Sequence, residues 1–106
     1  MKEAPKLRSR RGDATGPIYS EDELIRMGID SVSIHPVEDG GRPDGFGVYG
    51  WGEYPAWSVR AGRTRKLWLD HFERLADARA AYPFAGVSPH PVPKVGVFPP
   101  RAAPLR

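Results

Sequence analysis

The apolar and polar residues of YSEDELIRMG, at 19–28, predict a short helix where the patterned part of the chain begins. Ser20 is a favourable N-cap, and Glu23 follows three residues later, which is the arrangement of a capping box. Gly28 is a natural residue to end the helix.

Alternation of apolar and polar residues follows, and it predicts four strands. They are DSVSIHPVE at 30–38, FGVYGWG at 46–52, AWSVRA at 56–61 and RKLWLDHF at 65–72. Pro36 predicts that the first strand ends there or lies at an edge, because proline has no backbone N–H for a sheet ladder. Composition predicts turns at 38–45, EDGGRPDG, and at Gly62.

A second helix is predicted for ERLADARAAYP at 73–83, with Pro83 closing it. Its apolar stripe consists of Phe72, Leu75, Ala78 and Tyr82. We expect this stripe to cover one face of the sheet, which carries Phe46, Val48, Trp57, Val59, Leu67 and Leu69. The opposite face then carries Tyr49, Trp51, Ser58, Arg60, Lys66 and Trp68.

These elements predict an α+β fold. We expect a small antiparallel sheet of three to four strands in a meander, with a short N-terminal helix and a C-terminal helix packed on it. The single domain is expected at 18–84. Residues 1–17 are predicted to be a basic disordered arm, since they lack an apolar period. Residues 85–106 are predicted to be an extended proline-rich tail, in which VGVF at 95–98 could dock on the domain.

Composition narrows the classes of function. The chain has 106 residues, enough for one small domain. It has no cysteine, which excludes a disulfide framework, a thiolate metal site and a cysteine nucleophile. No apolar run reaches membrane-spanning length and no secretory signal is visible, so we expect a cytoplasmic protein with no membrane partner.

The net charge of +3 is unevenly distributed along the chain. Residues 1–19 and 84–106 carry +3 each, whereas residues 20–83 carry −3. Within this middle part, residues 20–53 carry −6 and residues 54–83 carry +3. The domain is therefore dipolar, and its charge favours nucleic acid less than a pI of about 9.5 suggests.

No motif for catalysis or for a cofactor is visible in the sequence. The three histidines, His35, His71 and His90, lack metal-binding spacing. The serines lack a G-x-S-x-G context, and the glycine-rich GGRPDGFG lacks the Lys-Ser or Lys-Thr of a phosphate loop. We therefore expect a non-enzymatic protein with no cofactor and no metal.

Large aromatic residues and bases are interleaved over residues 46–69. Aromatic rings stack on bases, and Arg and Lys neutralise phosphates, so this stretch predicts a nucleic-acid-binding face. The candidate stacking residues are Trp51 and Trp68, and the candidate phosphate or base contacts are Arg60, Arg63, Arg65 and Lys66. The basic arm would add salt-dependent affinity through Lys6, Arg8, Arg10 and Arg11.

A structural role for the same tryptophans is an open alternative, because large aromatics dominate the cores of small domains. The first helix must bury Leu24, Ile25 and Met27, and the face with Trp51 and Trp68 is the expected place. In that case the indoles would be core residues, and Arg63, Arg65 and Lys66 near the turn at Gly62 would be a solvated hairpin end.

Two resemblances bear on function. YSEDELIRMGIDSVSI, FGVYGWGEYPAWSVRAG and the DHF and DARAAYP stretches resemble a family of small uncharacterised proteins of bacterial plasmids and integrative elements. This resemblance covers most of the chain and implies a mobile-element setting but no particular activity. Residues 46–82 resemble AP2-like domains, including the arm-type DNA-binding domains of tyrosine recombinases, which have a three-stranded sheet and a helix. Arg74 stands where that family has Thr or Ser before the helix.

Two functions of different classes follow from these observations. The first is a non-enzymatic nucleic-acid-binding accessory protein of a mobile genetic element, with DNA as the expected ligand of its basic and aromatic sheet face. The second is a protein-binding module, an inhibitor or subunit of a host defence or DNA-transfer complex. It would act through the proline-rich tail or through the acidic residues Glu21, Asp22, Glu23, Glu38 and Asp39.

Overall fold

A three-stranded antiparallel meander forms the centre of the sheet in the computed structural model, which describes residues 17–94 and Pro99. The first strand, β1 (Ile29–Asp39), pairs with β2 (Arg42–Glu53), and β2 pairs with β3 (Thr64–Phe72). The antiparallel meander predicted from the alternating residues is therefore present, although its strands have different bounds.

Two short helices flank the meander, α1 (Glu21–Arg26) before it and α2 (Leu75–Ala81) after it. The capping box predicted for α1 is present: the Glu23 N–H donates to Ser20 Oγ at 3.2 Å, and the Ser20 N–H donates to Glu23 Oε1 at 3.0 Å. Arg74 is the N-cap of α2, and its side chain makes no capping hydrogen bond. The predicted α+β class is confirmed.

Two more strands come from the segment that was predicted to be an extended tail. Both β4 (Gly86–Val87) and β5 (Val92–Pro93) pair with β1 in parallel, one after the other, on the side away from β2. The chain must therefore cross from β3 to the far side of β1, a connection that the predicted meander lacked. Residues 85–94 belong to the folded domain, beyond the boundary predicted at 84.

Pro36 lies within β1, and the prediction that it ends the strand or lies at an edge is wrong. The carbonyls of Ile34 and Glu38 accept hydrogen bonds from Ser88 N at 2.9 Å and Lys94 N at 2.8 Å. Alternate residues of a strand direct their backbone groups to the same side, so position 36 also faces this side. Because β4 has ended there and β5 has not begun, the proline ring interrupts no ladder.

The strand predicted at 56–61 is also wrong. Pairing between β2 and β3 continues to Glu53 and Thr64, which leaves residues 54–63 as a connecting loop. This segment is called the Trp57 loop below. A short apolar and polar alternation fits a strand, but the two flanking strands already pair with each other and leave it no partner.

Both helices pack on the same face of the sheet. Leu24 of α1 and Ala78 of α2 join Tyr82 and the strand residues Ile29, Val32, Ile34, Val48 and Phe72 in one buried cluster. Packed against this cluster are Phe46, Leu67 and Leu69. The predicted cover of this face by the C-terminal helix is confirmed, whereas the expectation that α1 covers the opposite face is wrong.

The opposite face holds a smaller buried cluster of Tyr49, Trp51 and Val92. The His35 ring stands edge-on to both aromatics, with its centroid 5.6 Å from that of Tyr49 and 6.4 Å from that of Trp51. Since β5 brings Val92 to this cluster, the C-terminal segment covers the centre of the face. The docking predicted for VGVF at 95–98 lies outside the described residues.

Candidate nucleic-acid interface

The Trp57 loop is a succession of short turns that connects β2 to β3. Its first and last residues are joined by a hydrogen bond, in which the Tyr54 N–H donates to the Arg63 carbonyl at 3.3 Å. Inside it, three N–H groups donate to carbonyls three residues earlier in the chain. They are those of Ser58, Ala61 and Arg63, which bond the carbonyls of Pro55, Ser58 and Arg60. Gly62 has φ +84°, a left-handed conformation that favours glycine.

This backbone leaves two large apolar side chains in solvent. Trp57 is 87% exposed and Val59 is fully exposed. Burial of apolar surface contributes about 25 cal/mol per Å², so a small domain ordinarily places its indoles in the core. Two large apolar side chains exposed within three residues of one loop mark a candidate contact surface.

The Tyr54 ring contacts the guanidinium groups of two bases, Arg60 and Arg65, where the loop begins and ends. The Arg60 guanidinium lies 5.7 Å from the centroid of the Tyr54 ring, and its Nη1 donates to the Tyr54 hydroxyl at 3.2 Å. The Arg65 guanidinium lies 5.9 Å from the same centroid. Attraction between cations and the face of an aromatic ring holds both charges beside the Trp57 loop.

Arg65 also has a structural role, which the sequence did not reveal. Its Nη1 donates to the carbonyl of Met27, the C-cap of α1. The last carbonyls of a helix have no intrahelical partner, so a cation there satisfies one of them. Arg65 thus ties α1 to β3, and the predicted contact with nucleic acid competes with this internal bond.

Lys66 and Trp68 lie on the outer strand of the sheet, on the face opposite the helices. They pair with Trp51 and Tyr49 of β2. Because β3 and β5 are on opposite sides of the sheet, the segment that covers Trp51 leaves part of β3 uncovered. Trp68 is 46% exposed, and Lys66 and Arg63 are exposed.

A stacking role does not fit Trp51, which is 1% exposed. Its ring centroid lies 6.4 Å from that of Tyr49 and 6.4 Å from that of His35, within the cluster that Val92 closes. The structural alternative therefore applies to this indole. Trp68 is only partly buried, so a structural role does not exclude a contact between its indole and a ligand.

Trp57, which the predicted strand at 56–61 would place in the core, is instead an exposed indole. That prediction depended on the alternation of Trp57 and Val59 with polar neighbours. Two residues carried the contrary signal: Pro55 lacks a donor for a ladder, and the hydroxyl of Ser58 can bond the backbone of a turn. The Ser58 hydroxyl does accept from the Arg60 N–H at 3.1 Å.

The loop end of the sheet is its basic end. Residues 54–69 carry no acid and four bases, Arg60, Arg63, Arg65 and Lys66. At the other end of β2, the carboxylates of Asp39 and Asp44 lie 3.8 Å and 3.4 Å from Lys94 Nζ. The 12 residues of β2 separate these ends by about 40 Å. This charge separation would orient a polyanion towards the Trp57 loop.

A buried polar cluster joins β1 to the segment before β5. Ser33 Oγ lies 2.6 Å from His35 Nε2, and His35 Nδ1 lies 3.4 Å from the His90 carbonyl oxygen. When Nδ1–H donates to that carbonyl, Nε2 accepts from the Ser33 hydroxyl. Burial lowers the pKa of His35; the bond to the His90 carbonyl opposes this shift, and the charge of His90 adds to it. Both side chains are buried, so the pair offers no open nucleophile.

The remaining observations concern the basic arm, metal ligands and membrane-spanning helices. The arm residues Lys6, Arg8, Arg10 and Arg11 lie outside the described residues. Over residues 17–94, no group of three or more His, Asp or Glu side chains is placed to hold a metal ion. Neither helix of the described part is long and apolar enough to cross a membrane.

No protein-family model, curated protein or solved structure matches the chain. The resemblances to plasmid and integrative-element proteins and to AP2-like domains therefore stay predictions from the sequence.

Proposed function

We propose that the chain is a non-enzymatic nucleic-acid-binding accessory protein of a mobile genetic element, and that it binds through the Trp57 loop and the adjoining part of β3. The observation that carries this proposal is the exposed indole of Trp57 within a stretch of four bases and no acid. Ring stacking and phosphate neutralisation are the interactions that such a surface offers to a nucleic acid. The mobile-element setting rests on the sequence resemblance alone.

Within the domain, the proposed contact residues differ from the predicted set in two respects. Trp57 takes the stacking role that burial denies to Trp51. Arg65 supports the site from within, since it binds the Met27 carbonyl and the Tyr54 ring. The proposed contacts are Trp57, Arg60, Arg63, Lys66 and Trp68.

Anisotropy of a labelled oligonucleotide, measured with the full chain across a salt series, tests this proposal. Arg63→Ala with Lys66→Ala removes two exposed bases of the site. We expect weaker binding and a salt slope, log K against log of the salt concentration, that is shallower by about 1.4 to 1.8, since each of the two lost phosphate contacts removes about 0.7 to 0.9. The matched control, Arg74→Ala with Arg79→Ala, removes the same charge from exposed positions around α2, on the other face.

The outcomes of this experiment show whether binding depends on the proposed site or on net charge alone. Equal weakening by both pairs would assign binding to charge in general and contradict the site. Absence of binding by the unsubstituted chain at low salt would overturn the function. Substituting alanine for Lys6, Arg8, Arg10 and Arg11 together measures the share of the arm.

A protein-binding role is the second candidate, and a groove between the two helices favours it. The groove has a volume of about 470 Å³, and its lining includes Ile18, Tyr19, Ala80, Ala81 and Phe84 together with Glu21 and Glu23. Apolar walls beside two carboxylates suit a peptide with apolar and basic side chains. Ala80→Arg would place a bulky cation in the groove and abolish such binding without lowering the affinity for nucleic acid.

A further inference from the structure

The proposed function leaves open which form of nucleic acid the site takes, and the geometry of the Trp57 loop bears on this. The two faces of an indole are its largest apolar surfaces, and 87% of Trp57 is open to solvent. Val59, two residues later, is fully exposed as well. A ligand that covers these side chains must itself present apolar faces.

Two of the bases near this indole, Arg60 and Arg65, are held in place before any ligand arrives. Arg60 is fixed to Tyr54 by its ring contact and by the hydrogen bond to the hydroxyl. Arg65 is fixed to the same ring and to Met27. Less side-chain entropy is lost on binding when cations are already positioned, so the loop favours a ligand that carries negative charge next to its apolar faces.

A nucleic acid meets both demands only where its bases are unstacked. In a duplex the base faces are covered by their neighbours, and inserting a side chain between them costs a few kcal/mol per step. In a single strand the base faces are open, and a ring can stack on them without that cost.

We infer that the Trp57 loop is a binding site for single-stranded nucleic acid, in which a base stacks on Trp57 while Arg60, Arg63 and Lys66 neutralise the adjoining backbone. This inference rests on the proposed function and specifies the form of nucleic acid that is bound. Trp68, whose indole is 46% exposed on β3, is the candidate for stacking on a second base.

The test compares an oligothymidine of about 16 nucleotides, within the range that small stacking sites occupy, with a mixed-sequence duplex of equal length. The full chain should bind the single strand more tightly. Trp57→Ala should weaken single-strand binding about 5- to 150-fold, the range measured for loss of one stacking ring, while Trp57→Phe keeps most of the affinity. Duplex binding should be the same in all three proteins. Oligouridine of the same length distinguishes RNA from DNA as the source of the strand.

Each other outcome decides between this inference and the function on which it rests. If the duplex binds as tightly as the single strand, and Trp57→Ala changes neither affinity while the Arg63 and Lys66 pair lowers both, the function stands and this inference is overturned. If neither nucleic acid binds, both are overturned. If anionic phospholipid vesicles, and neither nucleic acid, shift the tryptophan fluorescence of the full chain to the blue, and Trp57→Ala abolishes that shift, the loop contacts a lipid surface, and both are again overturned.

Discussion

Trp51 and Trp57 are separated by only six positions, yet they lie in opposite environments. Trp51 is enclosed by Tyr49 and Val92 at the centre of the sheet, and Trp57 is almost wholly in solvent. Both stand in alternating, glycine-bounded stretches of similar composition. The difference shows that residue type and period do not separate a core indole from a contact indole in this chain.

Backbone pairing explains the difference between the two regions. Trp51 lies opposite Ser31 of β1 and Lys66 of β3, so its strand is paired on both sides and its indole points to a covered face. Trp57 lies in a segment whose N–H groups bond three residues back, as that of Ser58 does to Pro55. Without a neighbouring strand, its indole has no surface to pack against.

The largest expected effect is a difference in the free energy of unfolding between alanine variants of Trp51 and Trp57. Trp51→Ala removes a buried indole beside Tyr49 and His35 and leaves a cavity, so we expect the free energy of unfolding to fall by about 3 to 5 kcal/mol. Trp57→Ala removes almost no buried surface and is expected to change it by less than about 0.5 kcal/mol. Urea denaturation followed by circular dichroism measures both.

A matched control for this pair is Trp51→Phe, which keeps an aromatic ring in the cluster and should cost less than Trp51→Ala. A loss at Trp57 as large as that at Trp51 would contradict the comparison. It would mean that the Trp57 loop packs against the domain, and the proposed contact surface would lose its main support.

A smaller effect extends the comparison to two glycines, one from each region. A Cβ at Gly52 would lie 1.7 Å from the Gly28 carbonyl oxygen, so Gly52→Ala must move β2 away from the chain entering β1. We expect a loss of about 3 kcal/mol, at the upper end of ordinary overpacking. A Cβ at Gly62 meets nothing within 4 Å, and its φ of +84° alone would cost about 1 to 2 kcal/mol.

The same denaturation experiment ranks the two glycine variants. A larger loss for Gly62→Ala than for Gly52→Ala would mean that the turn at the end of the Trp57 loop matters more to the fold than the close approach of backbones at the end of β2.

The features that the sequence predicted correctly depend on neighbours along the chain. The cap of α1 needs only Ser20 and Glu23, which are three residues apart. Within the turn predicted at 38–45, Gly40 and Gly41 have φ of +60° and +83°, as a two-residue hairpin connection requires. The assignment of Phe46 and Val48 to the helix-covered face also follows from local alternation.

The features that the sequence missed depend on partners far along the chain. Pro36 is tolerated because of where β4 ends and β5 begins, some fifty residues later. Those strands have two residues each, too few to show a period. The burial of Trp51, and with it the choice of Trp57 as the candidate contact, depends on Val92 of the same segment. No local pattern carries this information.

The smallest expected effect is a pH dependence that belongs to the Trp51 region and not to the Trp57 loop. Burial lowers the pKa of His35 below its usual value of 6.5, with the His90 carbonyl opposing the shift and the charge of His90 adding to it. Nearby, burial raises the pKa of Tyr49, which keeps that ring neutral. Because the pKa of His35 is lower in the folded chain, the unfolded chain binds a proton at His35 more readily than the folded chain does. The resulting stability is fully present above about pH 6.5 and is lost as the pH falls towards the folded-state pKa.

His35→Gln removes this proton-binding group, so we expect the free energy of unfolding, measured by urea denaturation at a series of pH values, to depend less steeply on pH below 6.5. The matched control is His90→Asn, which keeps the backbone carbonyl that His35 bonds and should retain most of the dependence. Trp57→Ala should retain all of it, because the loop makes no part of this cluster. An unchanged slope in His35→Gln would mean that the ring is solvated in both states, and the enclosure of Trp51 beside it would then fail as well.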